Sequence, residues 1–115
     1  MSVETMSKLY ELKNIAGVKD ATGDLSRVNQ QLKAMGKDFI QLTGNDDNAL
    51  EFNRRGGVGA IGVTANIAAK ISSDFQKACE KKIEEAETLD KLLQPLHSAL
   101  FIESNPSPVL SLIHI

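Results

Sequence analysis

Apolar residues along this chain follow two alternating patterns. In five segments the sequence favours helices, in most of them because apolar residues recur every three or four positions. These segments cover Val3–Leu12, Leu25–Met35, about Asn48–Arg55, Ile67–Ile83 and Leu89–Leu100. Three short apolar runs between them, at 15–18, 39–43 and about 59–64, favour strands that are buried on both faces. The order helix, three strand–helix units, helix predicts an α/β fold with a parallel sheet and right-handed crossovers.

Polar residues between these segments indicate where chemistry is expected. Asp24 is predicted to cap one helix at its N-terminus, and Gly36 is predicted to end that helix. In parallel α/β sheets, functional groups gather at the carboxyl ends of the strands. Three stretches lie at those ends: residues 19–23, residues 44–47 and the residues around Thr64.

Length and composition narrow the classes of protein. The chain has 115 residues, a formal charge of −2, 24% charged residues and 42% hydrophobic residues, which is typical of a globular domain. The mild acidity argues against nucleic-acid binding, and no apolar run approaches the roughly 20 residues of a membrane helix. Cys79 is the single cysteine, so neither an intrachain disulfide nor a cysteine-based metal site is expected. We therefore expect a soluble, cytoplasmic protein without nucleic-acid or membrane partners.

Lys19 is the first candidate for catalysis. It is expected to end an apolar strand, where a charged ammonium is costly to bury and a neutral amine can act as a nucleophile. Amines in such positions attack carbonyl substrates in Schiff-base enzymes. The alternative is a lysine whose side chain simply reaches solvent, as most lysines do.

A glycine-rich segment is the second candidate. Residues 57–62 match the G-x-G-x-x-G pattern of dinucleotide-binding loops. That pattern normally follows a strand and opens a helix, whereas here it follows a predicted helix and runs into a strand. Close backbone packing at a helix–strand junction is therefore the favoured interpretation.

The remaining polar candidates favour structural roles. Asp46 and Asp47 are interpreted as a cap and a first-turn acid of a helix rather than as metal ligands. Cys79 is expected on an apolar helix face, and His97 on a helix surface. Neither His97 nor His114 lies in a spacing typical of metal ligands.

Four short motifs occur in order along the chain. They are NIAGVKDATGD at 14–24, LTGNDD at 42–47, GGVGAIGVTAN at 56–66 and NPSPV at 105–109. The pairing of GVKDATGD with GGVGAIGVTAN is a specific combination. Together the motifs resemble the dihydrodipicolinate synthase family, also called 4-hydroxy-tetrahydrodipicolinate synthase, from about Asn14 to Val109.

The resemblance implies a (β/α)8 TIM barrel followed by C-terminal helices. It also implies a lyase that condenses pyruvate with aspartate semialdehyde in the diaminopimelate branch of lysine biosynthesis. Lys19 is then implied to form the Schiff base with pyruvate, and Ile61 to contact pyruvate through its backbone. Gly44 matches a glycine of the loop beside the family's active site, while Thr43 and Asn45 replace a serine and an aspartate there. We expect neither a cofactor nor a metal.

The length conflicts with a complete barrel, which takes about 250 residues. The resemblance assigns the three predicted strands to about strands six to eight. It thereby leaves outside this chain the loop that binds the pyruvate carboxylate, the tyrosine proton relay, the arginine for aspartate semialdehyde and the feedback lysine site. We expect residues 1–109 to form a partial TIM barrel with a C-terminal helical segment, and residues 110–115 to form a tail of non-native sequence. The chain is then an inactive fragment of a homotetrameric enzyme.

Three alternative functions remain open. A sister Schiff-base lyase, such as N-acetylneuraminate lyase or a keto-deoxy-sugar acid aldolase, shares the barrel and the lysine. Ala21-Thr22 and residues 63–66 favour the synthase over these sisters. A non-catalytic α/β module could instead bind phosphate through the glycine-rich segment. The third alternative is a regulatory or structural fragment.

Overall fold

Three parallel strands organise the first part of the chain. The computed structural model describes residues 1–114, which divide into two units, one of residues 1–61 and one from Gly62 onward. In the first unit, β1 (Gly17–Asp20), β2 (Ile40–Thr43) and β3 (Gly59–Ala60) lie in this order, each parallel to its neighbour. The predicted α/β arrangement with a parallel sheet is confirmed.

Three helices of the first unit connect or precede these strands. They are α1 (Val3–Tyr10), α2 (Ser26–Met35) and α3 (Ala49–Arg54). The cap position of α2 is Leu25, one residue after the predicted Asp24, but the Asp24 carboxylate accepts hydrogen bonds from the Ser26 N–H (2.9 Å) and hydroxyl (2.6 Å) at the start of the helix. Gly36 ends α2 with a φ of 83°, a conformation that glycine adopts at little cost.

One strand is shifted along the chain relative to its apolar run, and the other two are shorter than their runs suggest. β1 pairs Gly17 with Ile40 and Asp20 with Thr43, so it begins and ends two residues later than predicted. β3 ends at Ala60, well short of the expected Thr64, because its partner β2 ends at Thr43. Pairing therefore sets the strand limits, whereas hydrophobicity alone predicts longer strands.

Apolar side chains of helices and loops fill the interior of the first unit. The buried ones are Met6, Val28, Phe39, Ala49 and Phe52. The ring of Tyr10 meets that of Phe39 edge to face, with centroids 5.0 Å apart.

The second unit, from Gly62 onward, is helical. A short 3-10 turn at Thr64–Asn66 precedes α4 (Ala69–Lys81), α5 (Glu85–Ala99) and α6 (Ser107–Ile113). Its buried apolar side chains are Phe75, Ala78, Ala86, Leu93, Leu100 and Val109. Within residues 1–114, no helix is both long and apolar enough to cross a membrane.

The last helix, α6, was not predicted. It crosses the expected boundary between residues 109 and 110, with Val109 as its buried residue. The non-native origin of residues 110–115 stays a prediction, and the last of them, Ile115, lies outside the described residues.

Gly57 occupies the junction between α3 and β3. Its N–H donates to the Phe52 carbonyl (3.0 Å), and a Cβ on Gly57 would overlap the Phe52 ring. The glycine-rich segment follows a helix and runs into a strand here, as the packing interpretation predicts. A side chain at this junction has no room without displacement of Phe52.

Replacing Gly57 with alanine should therefore destabilise the chain by about 1–3 kcal/mol, the usual cost of overpacking a filled interior. Urea unfolding followed by circular dichroism measures this change. Because the overlap involves the Phe52 ring, Gly57→Ala should cost less when Phe52→Leu is already present. An equal cost of Gly57→Ala in both backgrounds would contradict the proposed contact.

Candidate active site

Lys19 lies in β1 and directs its side chain across the end of β2. In the register of the sheet it pairs with Leu42, which places both side chains on the same face. A Cβ built on Gly44 would lie 2.9 Å from Lys19 Cε and 2.7 Å from Ala21 Cβ. A side chain at position 44 would therefore collide with Ala21 and would force the flexible end of Lys19 to move aside.

The expected burial of Lys19 is wrong for this chain. Lys19 is the third of the four β1 residues, and its side chain is exposed. Within residues 1–114 its amine has no hydrogen-bond or ion-pair partner. The amine is therefore open to a carbonyl compound that arrives from solvent.

The loop after β2 is joined to the end of β1. The Gly44 N–H donates to the Asp20 carbonyl at 2.8 Å. The buried Thr43 hydroxyl accepts from the Asn45 N–H (3.0 Å) and donates to Asn48 Oδ1 (2.9 Å). Threonine at position 43 thus holds the loop through its hydroxyl, a contact that serine could also make.

Ile61 continues the line of β3 beside this loop. Its N–H donates to the Thr43 carbonyl at 2.9 Å, and its side chain is 52% exposed. The backbone bonds between strand ends bring Lys19, Gly44 and Ile61 to one edge of the sheet. The expected third point, Thr64, lies instead in the second unit, because β3 ends four residues before it.

Asp20 is a buried carboxylate that the sequence analysis missed. Its Oδ1 accepts from the Thr22 N–H (2.9 Å) and hydroxyl (2.6 Å). Its Oδ2 accepts from Arg27 Nε (2.8 Å) and Gln31 Nε2 (3.0 Å). We call these four residues the Asp20 cluster. Arg27 and Gln31 lie four positions apart on α2, and this spacing beside an acid at a strand end is the signal that could have revealed it.

The hydrogen bonds of this cluster control the charge of Asp20. Burial by itself raises the pKa of the carboxyl, but the bonds from Arg27, Thr22 and Gln31 outweigh it and lower the pKa from 3.8 to about 2. Asp20 is therefore a fixed negative charge on the helix-covered side of the sheet, next in sequence to the exposed amine of Lys19.

Comparison with known proteins identifies the relatives of this chain. The model of the dihydrodipicolinate synthetase family matches residues 1–115. The chain belongs to the dihydrodipicolinate synthetase family. A 4-hydroxy-tetrahydrodipicolinate synthase of Pelagibacter ubique is 72% identical over 114 residues, covering 95% of this chain and 39% of the relative.

Solved structures of the family share the fold. Dihydrodipicolinate synthase from Aquifex aeolicus superposes with a TM-score of 0.94 at 32% identity, covering 98% of this chain and 39% of that protein. The chloride-inhibited enzyme from Acinetobacter baumannii, solved in complex with pyruvate, superposes with a TM-score of 0.91 at 40% identity and the same coverage. This chain thus spans about two fifths of the length of the family members it matches.

The structure also places the other polar candidates from the sequence, which are His97, Asp46 and Asp47. His97 is buried rather than on a helix surface, and its Nδ1 lies 2.7 Å from the Thr64 hydroxyl. Asp46 and Asp47 both lie in the first turn of the 3-10 segment (Asp46–Asn48) that leads into α3, as predicted for a first-turn acid, whereas Asn45 takes the cap position expected for the other. Across residues 1–114, no three His, Cys, Asp or Glu side chains converge as a metal site would require.

The Asp20 cluster should make the stability of the chain depend on acid. Because the pKa of Asp20 is lower in the folded chain than its ordinary 3.8, its contribution is complete above about pH 4 and is lost as the pH falls toward 2. The shift corresponds to about 2 kcal/mol. Urea unfolding measures the free energy of unfolding at pH 5 and at pH 2. Between these two pH values the unmodified chain should lose more of this free energy than Asp20→Asn does, by this amount; equal losses in both chains would contradict the assignment.

Proposed function

We propose that this chain is part of a 4-hydroxy-tetrahydrodipicolinate synthase, a lyase that condenses pyruvate with aspartate semialdehyde in lysine biosynthesis. The chain supplies about strands six to eight of a TIM barrel and the helices that follow them. The remaining strand–helix units complete the barrel. The names of the Pelagibacter ubique and Aquifex aeolicus relatives and the agreement of their folds with this chain support this proposal.

The observation that carries the proposal is the geometry of Lys19. Its amine is exposed at the carboxyl edge of a parallel sheet, and its Cε crosses Gly44. Active sites of barrels with parallel strands lie at this edge. The Acinetobacter baumannii relative is described with pyruvate bound, and the ketone of pyruvate is the electrophile that such an amine attacks.

In the proposed reaction, the Lys19 amine adds to the ketone carbon of pyruvate, and loss of water leaves an imine. The protonated imine nitrogen then accepts the electron pair released when the methyl group of pyruvate loses a proton. The resulting enamine carbon attacks the aldehyde of aspartate semialdehyde and forms the new carbon–carbon bond, while the aldehyde oxygen takes up a proton. The attack re-forms the iminium, and water or the amine of the condensed product then displaces the Lys19 amine from it. No cofactor is needed, because the imine itself accepts the electrons.

Gly44 and Ile61 have supporting roles in this proposal. Gly44 lets the lysine chain keep its present path beside Ala21, since a Cβ there would collide with Ala21 Cβ and displace Lys19 Cε. The N–H of Ile61 is already bonded to the Thr43 carbonyl. The Ile61 carbonyl is therefore the backbone group assigned to contact pyruvate.

The proposal predicts a covalent adduct at Lys19. The test protein is the Pelagibacter ubique relative with its matched segment replaced by this chain, which we call the graft; the 72% identity keeps the new contacts similar. Pyruvate and borohydride should add to the graft the mass of one pyruvate minus its ketone oxygen. Peptide mass spectrometry should locate the adduct on Lys19.

Two lysine variants of the graft serve as controls. Lys19→Arg keeps the positive charge but cannot form an imine, so the adduct should disappear completely. Lys33→Arg changes an exposed lysine of α2 and should leave the adduct unchanged. An adduct that persists in Lys19→Arg, or no adduct in the folded graft, refutes the assignment.

The second substrate distinguishes the synthase from its sister lyases. With pyruvate present, the graft should consume aspartate semialdehyde and not N-acetylmannosamine, which is the sugar a neuraminate lyase would condense. Phosphate binding without a pyruvate adduct would instead favour the non-catalytic module. The homotetramer expected of the complete enzyme belongs to the same proposal, and light scattering of the graft measures it.

The purified 115-residue chain alone should not catalyse the condensation. In the described sheet, β1 and β3 are outer strands with one unpaired edge each, and Ile40 and Ile61 are 44% and 52% exposed. Such edges and faces favour association with other chains. Chromatography measures the rate at which aspartate semialdehyde is consumed. This rate should equal the background rate for the chain alone and should be rapid for the graft. Equal turnover by both would contradict the proposed division of the barrel.

A further inference from the structure

Asp20 and Lys19 are neighbours in β1 whose side chains lie on opposite faces of the sheet. Lys19 is exposed on the open face, whereas Asp20 is 8% exposed and lies beneath α2. Every donor of the Asp20 cluster lies within 3.0 Å of an Asp20 carboxylate oxygen. Such a carboxylate is held rigidly, because its two oxygens are fixed from both the following turn and the helix.

The cluster also controls the route of the lysine chain. Asp20 Oδ1 closes the turn to Thr22, which positions Ala21. The Asp20 carbonyl accepts from the Gly44 N–H at 2.8 Å. The Lys19 chain runs close over Gly44, because a Cβ built on Gly44 would lie 2.9 Å from Lys19 Cε, and Ala21 borders the same glycine, with its Cβ 2.7 Å from that point. Asp20 therefore holds Gly44, which the Lys19 chain crosses, and Ala21, which borders Gly44.

We propose that Asp20 is the positioning residue for the Lys19 amine, acting through the turn to Thr22 and the contact with Gly44 while Arg27 and Gln31 anchor it to α2. The inference rests on the proposed function, in which that amine attacks pyruvate. Asp20 touches no substrate in this role. It fixes the position of the nucleophilic Lys19 amine, and even a small displacement of a reacting group slows a reaction strongly.

Asp20→Asn in the graft tests this role. Asparagine can still accept from Thr22, but its amide group meets the donors of Arg27 and Gln31 and cannot bond to both. We expect borohydride trapping of pyruvate at Lys19 to slow by about 10- to 100-fold. The pyruvate concentration for half-maximal rate should change much less than the maximal rate, because the contacts to pyruvate are not altered.

Asp24→Asn is the matched control. Asp24 likewise accepts from the N–H and hydroxyl of a residue two positions on, but its side chain is exposed at the start of α2. Its backbone N–H donates to the Thr22 hydroxyl (3.3 Å), a bond that Asp24→Asn leaves in place. Its substitution should leave trapping unchanged. A purely stabilising role for Asp20 predicts an unchanged maximal rate at temperatures where Asp20→Asn is fully folded, and that result overturns the proposal.

A second variant covers the case in which Asp20→Asn does not fold. Arg27→Lys keeps the positive charge near Asp20 but loses the planar donor at 2.8 Å. It should slow trapping in the same direction as Asp20→Asn, though less. A normal trapping rate in folded Arg27→Lys would argue against anchoring through α2.

Competitive acetylation separates failure of this inference from failure of the proposed function. Acetic anhydride modifies lysines without any pyruvate site, and mass spectrometry gives the reactivity of Lys19 relative to Lys33. Displacement of Lys19 from its position over Gly44 should change this ratio in Asp20→Asn and not in Asp24→Asn. If the graft forms no pyruvate adduct, the proposed function fails while the ratio still decides the positioning role; an unchanged ratio refutes it.

Discussion

The parallel register of β1 with β2 is the constraint on which the candidate site depends. It pairs Lys19 with Leu42 and Asp20 with Thr43. Since side chains alternate along a strand, a slip of one residue would bury the lysine beneath α2 and expose the aspartate. The register thus assigns an exposed amine to one face and an anchored carboxylate to the other, although the two residues are adjacent in sequence.

A charge beneath the helix requires compensation. Removing a carboxylate from water is costly, and a buried carboxylate persists only where hydrogen bonds and an opposite charge replace the solvent. Asp20 has all of these, with Arg27 supplying the charge. Because both anchors come from a single helix, the sheet and α2 are connected at the point where β1 ends. The turn that the Asp20–Thr22 bonds close is thereby connected to the packing of α2 in the first unit.

The order of helices and strands up to α5 and the parallel sheet could be predicted from the apolar pattern, and the roles proposed for Lys19, Gly44 and Ile61 come from the resemblance. The strand limits could not be predicted, because pairing with a neighbour decides them. The spacing of Arg27 and Gln31 could indicate a partner for Asp20, but the bonds themselves could not be predicted, since Arg27 lies seven residues further along the chain and its approach depends on the path of α2. The buried bond between His97 and Thr64 spans 33 residues, so no local pattern reveals it.

The close approach around Gly44 has a consequence for how this sequence can vary. Positions 19, 21 and 44 share one small volume, because a Cβ at 44 would meet both of the other side chains. A larger residue at 44 could be tolerated only with a smaller residue at 21 and a new path for the lysine. Substitutions at these positions should therefore depend on one another, and a family member that placed a larger residue at 44 alone would lose the space that Ala21 and the lysine chain occupy.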